Sequence, residues 1–320
     1  MKTIIFLDAG SFDYTGVDLS GIRALGRCLT YHSTKPEQVE SRIQKADVVI
    51  VNKVVLDKTH LENAKKLQLI CVAATGYNNI DLNAAKKCDI AVCNTPYYST
   101  RSVVEHTLMF LFALSHRLIE HHEACQKLKW SRSSTFNLTA FPFSNLNGKT
   151  LGIVGYGAIG KSVARLAKHC GMNILVAKIP GRKHDRKTKR TPLKTVLQQS
   201  DYVSLHCPLS PLTTRLVNRE TLSLMKPTAF LLNLARGPVV DETAVALALL
   251  DNQIAGYAAD VLSQEPPKKD HPFFDKQLKN KIFLTPHVAW TSRESRQTLI
   301  DEMAKNIEWF FRGKKRNRVV

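Results

Sequence analysis

Side chains suited to carbonyl chemistry follow three predicted buried strands in the second half of the chain. Arg236 follows the first of these strands, Asp260 and Glu265 come at the end of the second, and His287 closes the third. In an open parallel sheet, ligands bind beyond the carboxyl ends of the strands. An arginine can pair with a substrate carboxylate and polarise the adjacent carbonyl. A histidine can deliver the proton, and a carboxylate bonded to it favours its charged form and fixes its ring. Together these residues predict the reduction of a carbonyl group.

A glycine-rich turn precedes this set. Gly155, Gly157 and Gly160 follow a predicted strand and open a predicted helix that runs from Ile159 to Cys170. In a dinucleotide-binding turn, the first glycine permits the tight turn, the second permits close approach of a phosphate, and the third permits close packing of helix on strand. A chance glycine-rich turn is the alternative, but the strand–turn–helix context argues against it. We therefore predict a dinucleotide site.

The position that usually holds an acidic residue, about 20 residues past the glycines, is basic in this chain. Lys178 stands there, and Arg182 and Lys183 follow it. A lysine cannot accept hydrogen bonds from the ribose diol, and it lacks the negative charge that would repel a 2′-phosphate. The two following cations are placed to pair with such a phosphate. The pattern favours NADPH over NADH; alternatively, Lys178 points to solvent and either cofactor is accepted.

The elements that must position these residues alternate between strand and helix, which predicts parallel sheets of the α/β class. Helices are predicted between the strands, for example over 37–45 and 57–66. One long helix over 99–126 connects two βαβ series, an irregular stretch covers 130–148, and a helix over about 292–312 could return to the first series. The predicted strands are 3–8, 46–52, 67–74 and 90–96, followed by 150–155, 173–178, 202–208, 229–235, 255–261 and 281–287.

Length and composition suit a globular protein of two domains. The chain has 320 residues, 44% of them hydrophobic and 23% charged. The first apolar run is too short for a signal peptide, and the run 108–114 is far below the roughly 20 residues of a membrane span. Seven cysteines without a CxxC pair indicate free thiols in a reducing compartment. We expect a cytoplasmic protein without a membrane partner.

The net charge of +19 is concentrated in two short segments. Residues 178–194 carry eight lysines or arginines against one aspartate, and residues 312–318 carry five with no acid. Duplex binding usually needs a broad basic face, so we expect no specific nucleic-acid partner. The first segment is interpreted as a solvated surface or as part of a site for an anionic cofactor.

Three histidines are crowded together in the predicted long helix. His116, His121 and His122 show neither an HExxH motif nor another metal-ligand spacing. We interpret them as packed or solvated side chains and expect no metal.

These features together resemble the D-2-hydroxyacid dehydrogenase family, and the resemblance extends from "LDAG" near the start to the closing "RVV". Within the family the chain looks most like the glycerate dehydrogenase or hydroxypyruvate reductase branch, through "VNKVVL", "ATGYN", "WSRS" and "HVAW". The most specific stretches, besides the glycine-rich turn, are "VAATGYNNIDL" (72–82), "SLHCPLSPLTTRLVN" (204–218), "MKPTAFLLNLARGPVVDE" (225–242) and "TPHVAW" (285–290).

The resemblance implies the fold and a reaction. The expected fold is two Rossmann-like, doubly wound parallel-sheet domains: a discontinuous substrate domain over 1–99 and 289–320, and a dinucleotide domain over 100–288. The implied reaction moves a hydride from a reduced nicotinamide to a small 2-keto acid, with hydroxypyruvate and glyoxylate as leading substrates. A homodimer built on the dinucleotide domain is also implied.

The resemblance also implies roles for individual residues. Arg236 would bind substrate, His287 would be the acid/base, and Glu265 would be its partner. The loop at Thr75 and Gly76 would bind the substrate carboxylate, as could Lys53. Asp260 would hold the nicotinamide carboxamide. The expected cofactor contacts are Thr107, Gly155, Gly157, Ala158, Ile159, Gly160, Lys178, Arg182, Lys183, Cys207, Pro208, Leu234, Ala235, Asp260 and His287.

Other functions are compatible with parts of this pattern. A relative that acts on phosphoglycerate or a bulkier keto acid would differ in the lining of its pocket rather than in its motifs. Formate oxidation does not call for a Glu265–His287 pair, because formate has no oxygen-bound proton to exchange. A protein on the same fold that only senses a dinucleotide is a further alternative, and the intact set of arginine, glutamate and histidine argues against it.

Overall fold

The chain forms two compact units. The computed structural model describes residues 1–12, 16–183, 185 and 187–320. One unit comprises Met1–Ser99 with Trp290–Val320, and the other comprises Thr100–Ala289. The predicted domain boundary fell one residue earlier, between 288 and 289. Arg186, one of the basic residues of the 178–194 segment, lies outside the described residues.

The strands of the first unit are short. They are β1 (Thr3–Phe6), β2 (Arg27–Thr30), β3 (Val48–Val51), β4 (Leu69–Val72) and β5 (Ala91–Cys93). Those of the second unit are β6 (Thr150–Val154), β7 (Asn173–Lys178), β8 (Thr191–Pro192), β9 (Tyr202–Leu205), β10 (Phe230–Asn233), β11 (Gly256–Ala259) and β12 (Ile282–Leu284).

Helices connect the strands and cover the sheets. In the first unit they are α1 (Ser20–Arg23), α2 (Pro36–Ile43), α3 (Lys58–Asn63) and α4 (Leu82–Lys87), and the chain returns to this unit with α11 (Arg293–Phe311). In the second unit they are α5 (Thr100–Ser115), α6 (Leu118–Gln126), α7 (Ala158–His169), α8 (Leu193–Gln199), α9 (Arg219–Leu222) and α10 (Glu242–Leu250). Among the described residues, short 3-10 turns cover Ala9–Phe12, Gly237–Val239, Pro272–Phe274 and Lys276–Leu278.

Both sheets are parallel throughout. The first has the order β2-β1-β3-β4-β5, and the second has the order β12-β11-β10-β9-β6-β7-β8. Strands β3, β4 and β9 are buried at every residue, as expected for sheets covered by helices on both faces. The predicted class, two α/β domains with parallel sheets, is confirmed.

The end of the chain completes the first unit. Leu299, Met303 and Ile307 of α11 are buried in a core with β1, β3 and β4. The final residues then run antiparallel to β5, where Val319 N donates to Val92 O over 2.7 Å. The last segment therefore covers an edge of the sheet that would otherwise expose unpaired backbone groups.

The predicted single helix over 99–126 is wrong. The chain forms α5 and α6, separated by Arg117, whose backbone is left-handed at φ +53°. Arg117 Nη1 donates to Glu120 Oε1 over 2.9 Å, an ion pair with the first turn of the next helix. The apolar spacing continues across the break, but Leu118 and Ile119 are exposed beyond it. A periodic pattern cannot show that one residue leaves the helical conformation.

Two strands were not predicted. β2 and β8 lie at sheet edges, where one side of the strand has no neighbouring strand. β2 has no buried residue, and β8 has only two residues, so neither carries the apolar run that marks an interior strand.

Over the described residues, the helices are too short or too polar to cross a bilayer.

Candidate active site

The order in which strands are added to the second sheet reverses beside β6. The chain adds β7 and β8 on one side of β6, then returns to place β9, β10, β11 and β12 on the other side. Loops that leave the carboxyl ends of β6 and β9 therefore diverge, which opens a crevice at this point. His206 N donates to Val154 O over 2.7 Å and extends the pairing of the two strands to the base of the crevice.

The three glycines of the turn after β6 each meet a different steric demand. Gly155 has φ +103°, and a Cβ on it would lie 2.4 Å from Cys207 N. A Cβ on Gly160 would lie 2.1 Å from the carbonyl oxygen of Gly155, so only glycine allows α7 to approach β6 this closely. A Cβ on Gly157, by contrast, would meet no described protein atom within 4 Å. Gly157 therefore clears space for a group from outside the chain.

This turn fits a dinucleotide pyrophosphate. Gly157 is the N-cap of α7, and Ala158 and Ile159 are its first helical residues. The N–H groups of a first helical turn have no partner within the helix, and the helix dipole favours an anion there. A close approach over Gly157 would bring phosphate oxygens to these N–H groups.

Basic residues surround the end of β7. Lys178 is the last residue of the strand, and Arg182 and Lys183 follow in an exposed turn. Arg182 also lies close enough to Cys207 to influence it electrostatically. Burial raises the pKa of the Cys207 thiol to about 11, and the charge of Arg182 partly opposes that rise. These cations therefore lie around the rim of the crevice.

Arg190 belongs to the same region, although sequence reasoning had counted it only as part of a basic segment. Its guanidinium carbon lies 6.0 Å from the ring centroid of Tyr156, within the glycine turn. Arg190 Nη2 donates to Asp185 Oδ2 over 3.1 Å, and this contact is the main reason why the pKa of Asp185 falls to about 2. The Arg190 side chain is only 12% exposed, and its Nε has no hydrogen-bond partner among the described residues.

The position of Arg190 depends on β8. Thr191 pairs with Ala177, so the residue just before β8 is held beside β7. Lys161 of α7 lies on the same ring, with Nζ 6.0 Å from the Tyr156 centroid. No local pattern in the sequence could have shown this pairing of a two-residue edge strand.

Asn233 at the end of β10 positions Arg236. The Asn233 amide donates to Arg236 O over 3.1 Å and accepts from Ala235 N over 3.1 Å. Leu234 and Ala235 are buried, whereas Arg236 is exposed and donates from Nη1 to Ala235 O over 2.8 Å. The backbone is thus held firmly while the guanidinium extends from the carboxyl edge.

Gly237 joins this loop to the next one. A Cβ on Gly237 would lie 2.0 Å from the carbonyl carbon of Leu262 and 2.2 Å from Ser263 N. The absence of a side chain therefore lets the loop after β10 pack directly on the backbone after β11. Arg236 and the segment leading to Glu265 are held in register by this contact.

Glu265 and His287 form a close pair. Glu265 Oε2 lies 2.6 Å from His287 Nδ1, and Glu265 Oε1 accepts from Leu262 N over 2.9 Å. The carboxylate is thus anchored to the backbone on one side and fixes the imidazole ring on the other. Because Nδ1 is engaged, Nε2 is the ring nitrogen that can exchange a proton with a ligand.

Asp260 holds the chain on both sides of His287. Its Oδ1 accepts from Thr285 Oγ1 over 2.6 Å and from Val288 N over 2.9 Å, and its Oδ2 accepts from Ala289 N over 2.9 Å. The side chain is only 3% exposed. Three of about four lone-pair sites are therefore used within the protein, which leaves one for the predicted carboxamide contact.

His106 of α5, which the sequence did not single out, reaches the same cluster. Its Nε2 lies 2.9 Å from Thr285 Oγ1 and 3.9 Å from Asp260 Oδ1. Burial lowers the pKa of His106, and the negative charge of Asp260 partly opposes that effect. The contact spans 179 positions of the chain, so no spacing rule could have found it.

The remaining predicted cofactor residues lie in two places. Thr107 is fully buried, and its Oγ1 donates to Val103 O within α5 over 2.7 Å. The hydroxyl is therefore already used by its own helix. Cys207 is buried and Pro208 exposed where the chain leaves β9, next to the turn at Gly155.

The residues predicted to bind the substrate carboxylate, apart from Arg236, belong to the first unit. Lys53 follows β3 and Thr75 follows the adjacent strand β4, and both are exposed at the carboxyl edge of that sheet. Thr75 Oγ1 donates to Thr95 O over 3.2 Å, and Gly76 continues the same loop. Arg236, Glu265 and His287 all belong to the second unit.

The crowded histidines after α5 pack against aromatic rings. The His116 ring stacks on Phe143 with centroids 5.1 Å apart, and His121 contacts the edges of Phe141 and Phe143. In the part of the chain that the structure describes, no three His, Cys, Asp or Glu side chains are grouped as metal ligands would be.

A cavity of about 360 Å³ adjoins the Glu265–His287 pair. Asp260 and Thr285 also contribute to its wall, and the rest of the lining is largely apolar: Leu262, Pro266, Pro267, Phe274, Leu284 and Pro286. An apolar wall strengthens electrostatic interactions inside it. The arrangement can therefore support proton transfer at a histidine held by a carboxylate.

The chain is similar in sequence to known proteins. Residues 108–289 match the sequence model described as D-isomer specific 2-hydroxyacid dehydrogenase, NAD binding domain. The chain is 38% identical to a glycerate dehydrogenase of Methylorubrum extorquens over 99% of both chains. It is 35% identical to a hydroxypyruvate reductase of Blautia hydrogenotrophica over 97% of both.

A solved structure is also similar. An acyclic imino acid reductase, Bsp5, in complex with NADPH and D-Arg superposes with a TM-score of 0.87 at 29% identity, over 99% of this chain and 100% of that one. Because the sequence model covers more than half of the chain and these relatives cover nearly all of it, the chain is an oxidoreductase that belongs to the D-isomer specific 2-hydroxyacid dehydrogenase family.

Proposed function

We propose that the chain reduces a small 2-keto acid, hydroxypyruvate or glyoxylate first, to the D-2-hydroxy acid. The observation that carries this proposal is the 2.6 Å pair of Glu265 and His287, which lies in the same unit as a glycine turn shaped for a dinucleotide. The names of the glycerate dehydrogenase and hydroxypyruvate reductase relatives support the same substrates. A bound reduced nicotinamide would supply the hydride.

The residues of the chain would divide the remaining work. Arg236 pairs with the substrate carboxylate; the contacts of Thr75, Gly76 and Lys53 to that group stay a prediction from the family resemblance. His287, oriented by Glu265, gives its Nε2 proton to the oxygen that forms at C2. Asp260 uses its remaining lone pair for the carboxamide of the cofactor.

Replacement of the proposed acid tests this function. We expect His287→Ala to lower kcat by about two to four orders of magnitude, which is the usual contribution of general acid catalysis. Steady-state reduction of hydroxypyruvate, followed at the nicotinamide absorbance band, provides the measurement. His122→Ala, at an exposed histidine of α6, is the matched control and should keep full activity. Near-normal turnover of His287→Ala would contradict the assignment.

A substrate panel separates this proposed function from the alternative functions. Hydroxypyruvate, glyoxylate and pyruvate are compared with a phosphorylated hydroxypyruvate and with a bulkier 2-keto acid. We expect the highest kcat/KM with hydroxypyruvate or glyoxylate. A clear preference for the phosphorylated acid would assign a phosphoglycerate-type enzyme, and no turnover of any acid would favour a dinucleotide sensor.

We further propose that NADPH is preferred over NADH. Lys178 replaces the acidic residue that would hold the ribose diol, and Arg182, Lys183 and Arg190 lie around the same end of β7. Arg190 is held against Tyr156 and Asp185, so its guanidinium is preorganised at the turn. The NADPH bound to the similar imino acid reductase agrees with this preference, although the family's domain is described by NAD.

Reversal of one charge tests the preference. Lys178→Asp supplies an acceptor for the ribose diol and repels a 2′-phosphate, so we expect the preference to move toward NADH by about 100-fold. The ratio of kcat/KM for the two cofactors is the measurement. Lys194→Asp makes the same charge change at an exposed position of α8 and should leave the ratio unchanged. An unmodified enzyme that uses NADH as well as NADPH would contradict the proposal.

We also propose a homodimer through the outer face of α5 and α6. This face and the irregular segment that follows expose many large apolar side chains: Met109, Phe112, Leu118, Ile119, Trp130, Phe136 and Phe143. A surface that exposes this many large apolar side chains is typical of a subunit interface. We expect sedimentation to show a dimer that Ile119→Asp dissociates and that Leu247→Asp, at an exposed leucine of α10, leaves intact. A monomeric unmodified chain would overturn the proposal.

A further inference from the structure

The structure assigns His106 as a positioning residue for the acid/base histidine: through Thr285 and Asp260 it holds the segment that carries His287. The inference rests on the proposed function of His287, because positioning matters only if that ring transfers a proton. His106 belongs to α5, outside every motif that points to catalysis. Its contribution is mechanical and acts through two intermediate side chains.

The hydrogen bonds of this chain of side chains run in one direction. Thr285 Oγ1 has one hydrogen, which it donates to Asp260 Oδ1 over 2.6 Å. The second contact of that hydroxyl, 2.9 Å to His106 Nε2, therefore requires the histidine to be the donor. His106 is consequently in the tautomer that carries its proton on Nε2, and burial, which lowers its pKa, supports the neutral form.

The Asp260 carboxylate, which ends this series of hydrogen bonds, holds the backbone on both sides of His287. Thr285 precedes the histidine by two residues, and Val288 and Ala289, whose N–H groups bind Asp260, follow it directly. His287 itself has a left-handed backbone with φ +55°. That conformation is unfavourable for a residue other than glycine, so it persists because the flanking contacts impose it.

His106 links the hydrogen bonds around His287 to helix α5. Its ring packs edge-on against Phe110, one turn along α5, with centroids 4.9 Å apart. Ser102, one turn earlier on the same helix, donates from Oγ to Ala289 O over 2.6 Å. The segment 285–289 is therefore attached to α5 at both of its ends, once through a hydrogen bond from His106.

Loss of the His106 donor should displace the His287 ring slightly without removing it. A misplacement of about 1 Å near reacting atoms can cost roughly 100-fold in rate. We expect His106→Leu to lower kcat about 10- to 100-fold, with a much smaller change in the KM for the keto acid. His106→Gln retains a side-chain amide that can donate to Thr285 and should restore most of the lost kcat.

An isotope effect separates positioning from a loss of folded enzyme. A displaced His287 makes proton transfer more strongly rate-limiting, so the solvent deuterium isotope effect on kcat should rise in His106→Leu. Phe110→Leu is the matched control, because it loosens the packing around His106 but leaves its donor in place. We expect Phe110→Leu to keep the isotope effect of the unmodified enzyme.

A double substitution tests the path through Thr285. His106→Leu and Thr285→Val each interrupt the same chain of hydrogen bonds, so the double variant should be no slower than the slower single variant. Multiplied effects would overturn the inference. Equal effects of Phe110→Leu and His106→Leu on kcat and on the isotope effect would also overturn it, since packing alone would then explain the loss.

Hydrogen exchange tests the positioning role of His106 independently of enzyme activity. The amides of Val288 and Ala289 should exchange about five- to tenfold faster in His106→Leu than in the unmodified chain, with recovery in His106→Gln. Unchanged exchange would overturn the positioning role. If these amides respond as expected but His287→Ala retains activity, the proposed function fails while the His106 support stands.

Discussion

The two parallel sheets are built alike at their amino ends and differently at their carboxyl ends. In each unit, an aspartate precedes the strand that follows the reversal of the sheet. Asp47 Oδ2 accepts from Thr3 N over 2.8 Å, and Asp201 Oδ2 accepts from Thr150 N over 2.8 Å. Each carboxylate also contacts a lysine, 3.2 Å from Lys2 in one unit and 2.8 Å from Lys226 in the other.

The carboxyl ends of the corresponding strand pairs have opposite chemistry. After β1 comes Asp8, whose buried carboxylate accepts from Asn52 N over 2.8 Å, from Lys53 N over 2.6 Å and from Val54 N over 3.1 Å. After β6 comes Gly155, followed by the open turn into α7. In the first unit the protein supplies its own anion to the backbone N–H groups. In the second unit the N–H groups of α7 face the space cleared by glycine.

A doubly wound sheet determines where a crevice forms, but it does not determine what the crevice binds. The reversal of strand order produces a crevice in both units. Whether that crevice accepts a phosphate depends on the residue that follows the first strand. A carboxylate there occupies the N–H groups that a phosphate would need, whereas glycine leaves room for a phosphate.

The largest expected effect on cofactor binding comes from closing the crevice of the second unit. Gly157→Val should weaken NADPH binding about 100-fold, because its side chain would occupy the approach of the pyrophosphate. Fluorescence titration measures the dissociation constant. The free energy of unfolding should fall by no more than about 1 kcal/mol, since no described protein atom lies within 4 Å of the new Cβ.

A neighbouring glycine provides the contrast. Gly160→Ala places its Cβ 2.1 Å from the carbonyl oxygen of Gly155 in the present backbone. We therefore expect it to lower the free energy of unfolding, and not only the affinity for NADPH. If Gly157→Val bound NADPH normally, the role of the open turn as the phosphate site would be wrong.

Removal of the internal anion of the first unit should reduce stability rather than cofactor binding. Asp8→Ala leaves three backbone N–H groups without their acceptor, so we expect a loss of about 3 kcal/mol in the free energy of unfolding. Urea denaturation measures the loss, with Asp270→Ala, at an exposed aspartate, as the control. The NADPH dissociation constant should stay within roughly twofold, because the glycine turn belongs to the other unit. Unchanged stability would show that Asp8 is not needed to satisfy these groups.

The smallest expected effects are those of the two matching aspartates. Asp47→Asn and Asp201→Asn should each cost about 1 kcal/mol at pH 7, because each weakens one charged hydrogen-bond cluster. Burial alone would raise the pKa of both carboxyls, but the backbone N–H groups and lysines that bind them lower it overall.

The direction of these pKa shifts determines the pH dependence. A carboxyl group with a lowered pKa in the folded state stabilises fully above its unfolded pKa of about 3.9 and loses that contribution as the pH falls further. The differences between each variant and the unmodified chain should therefore shrink below about pH 4. Thermal unfolding at pH 7, 5 and 3.5 measures this. A clearly larger loss in one variant than in the other would break the similarity of the two amino ends.

Much of this organisation could be predicted from the sequence. Interior strands such as β3, β4 and β9 are continuous apolar runs, and the glycine spacing marks the turn at Gly155. Arg236, Asp260 and His287 were recognised because side chains that follow parallel strands share one edge. The structure places all three strands side by side, as β10, β11 and β12.

The break at Arg117 and the edge strands β2 and β8 could not be predicted in the same way. A single left-handed residue leaves the apolar spacing unchanged, and an edge strand needs no apolar pattern. The hydrogen-bond network of Asp260 was missed for a related reason. The resemblance pointed to a contact with the cofactor, whereas most of the carboxylate is used to hold the chain around His287.

The sequence by itself determined the class of fold, the dinucleotide turn and the chemistry at the strand ends, because periodicity and turn geometry are local properties. Only the tertiary structure decided that Arg190 lies on Tyr156 and that His106 donates to Thr285. These contacts join residues far apart in the chain, and they depend on the order in which strands pair and helices pack. Residue types can indicate which chemistry is available, but the packing selects the side chains that meet.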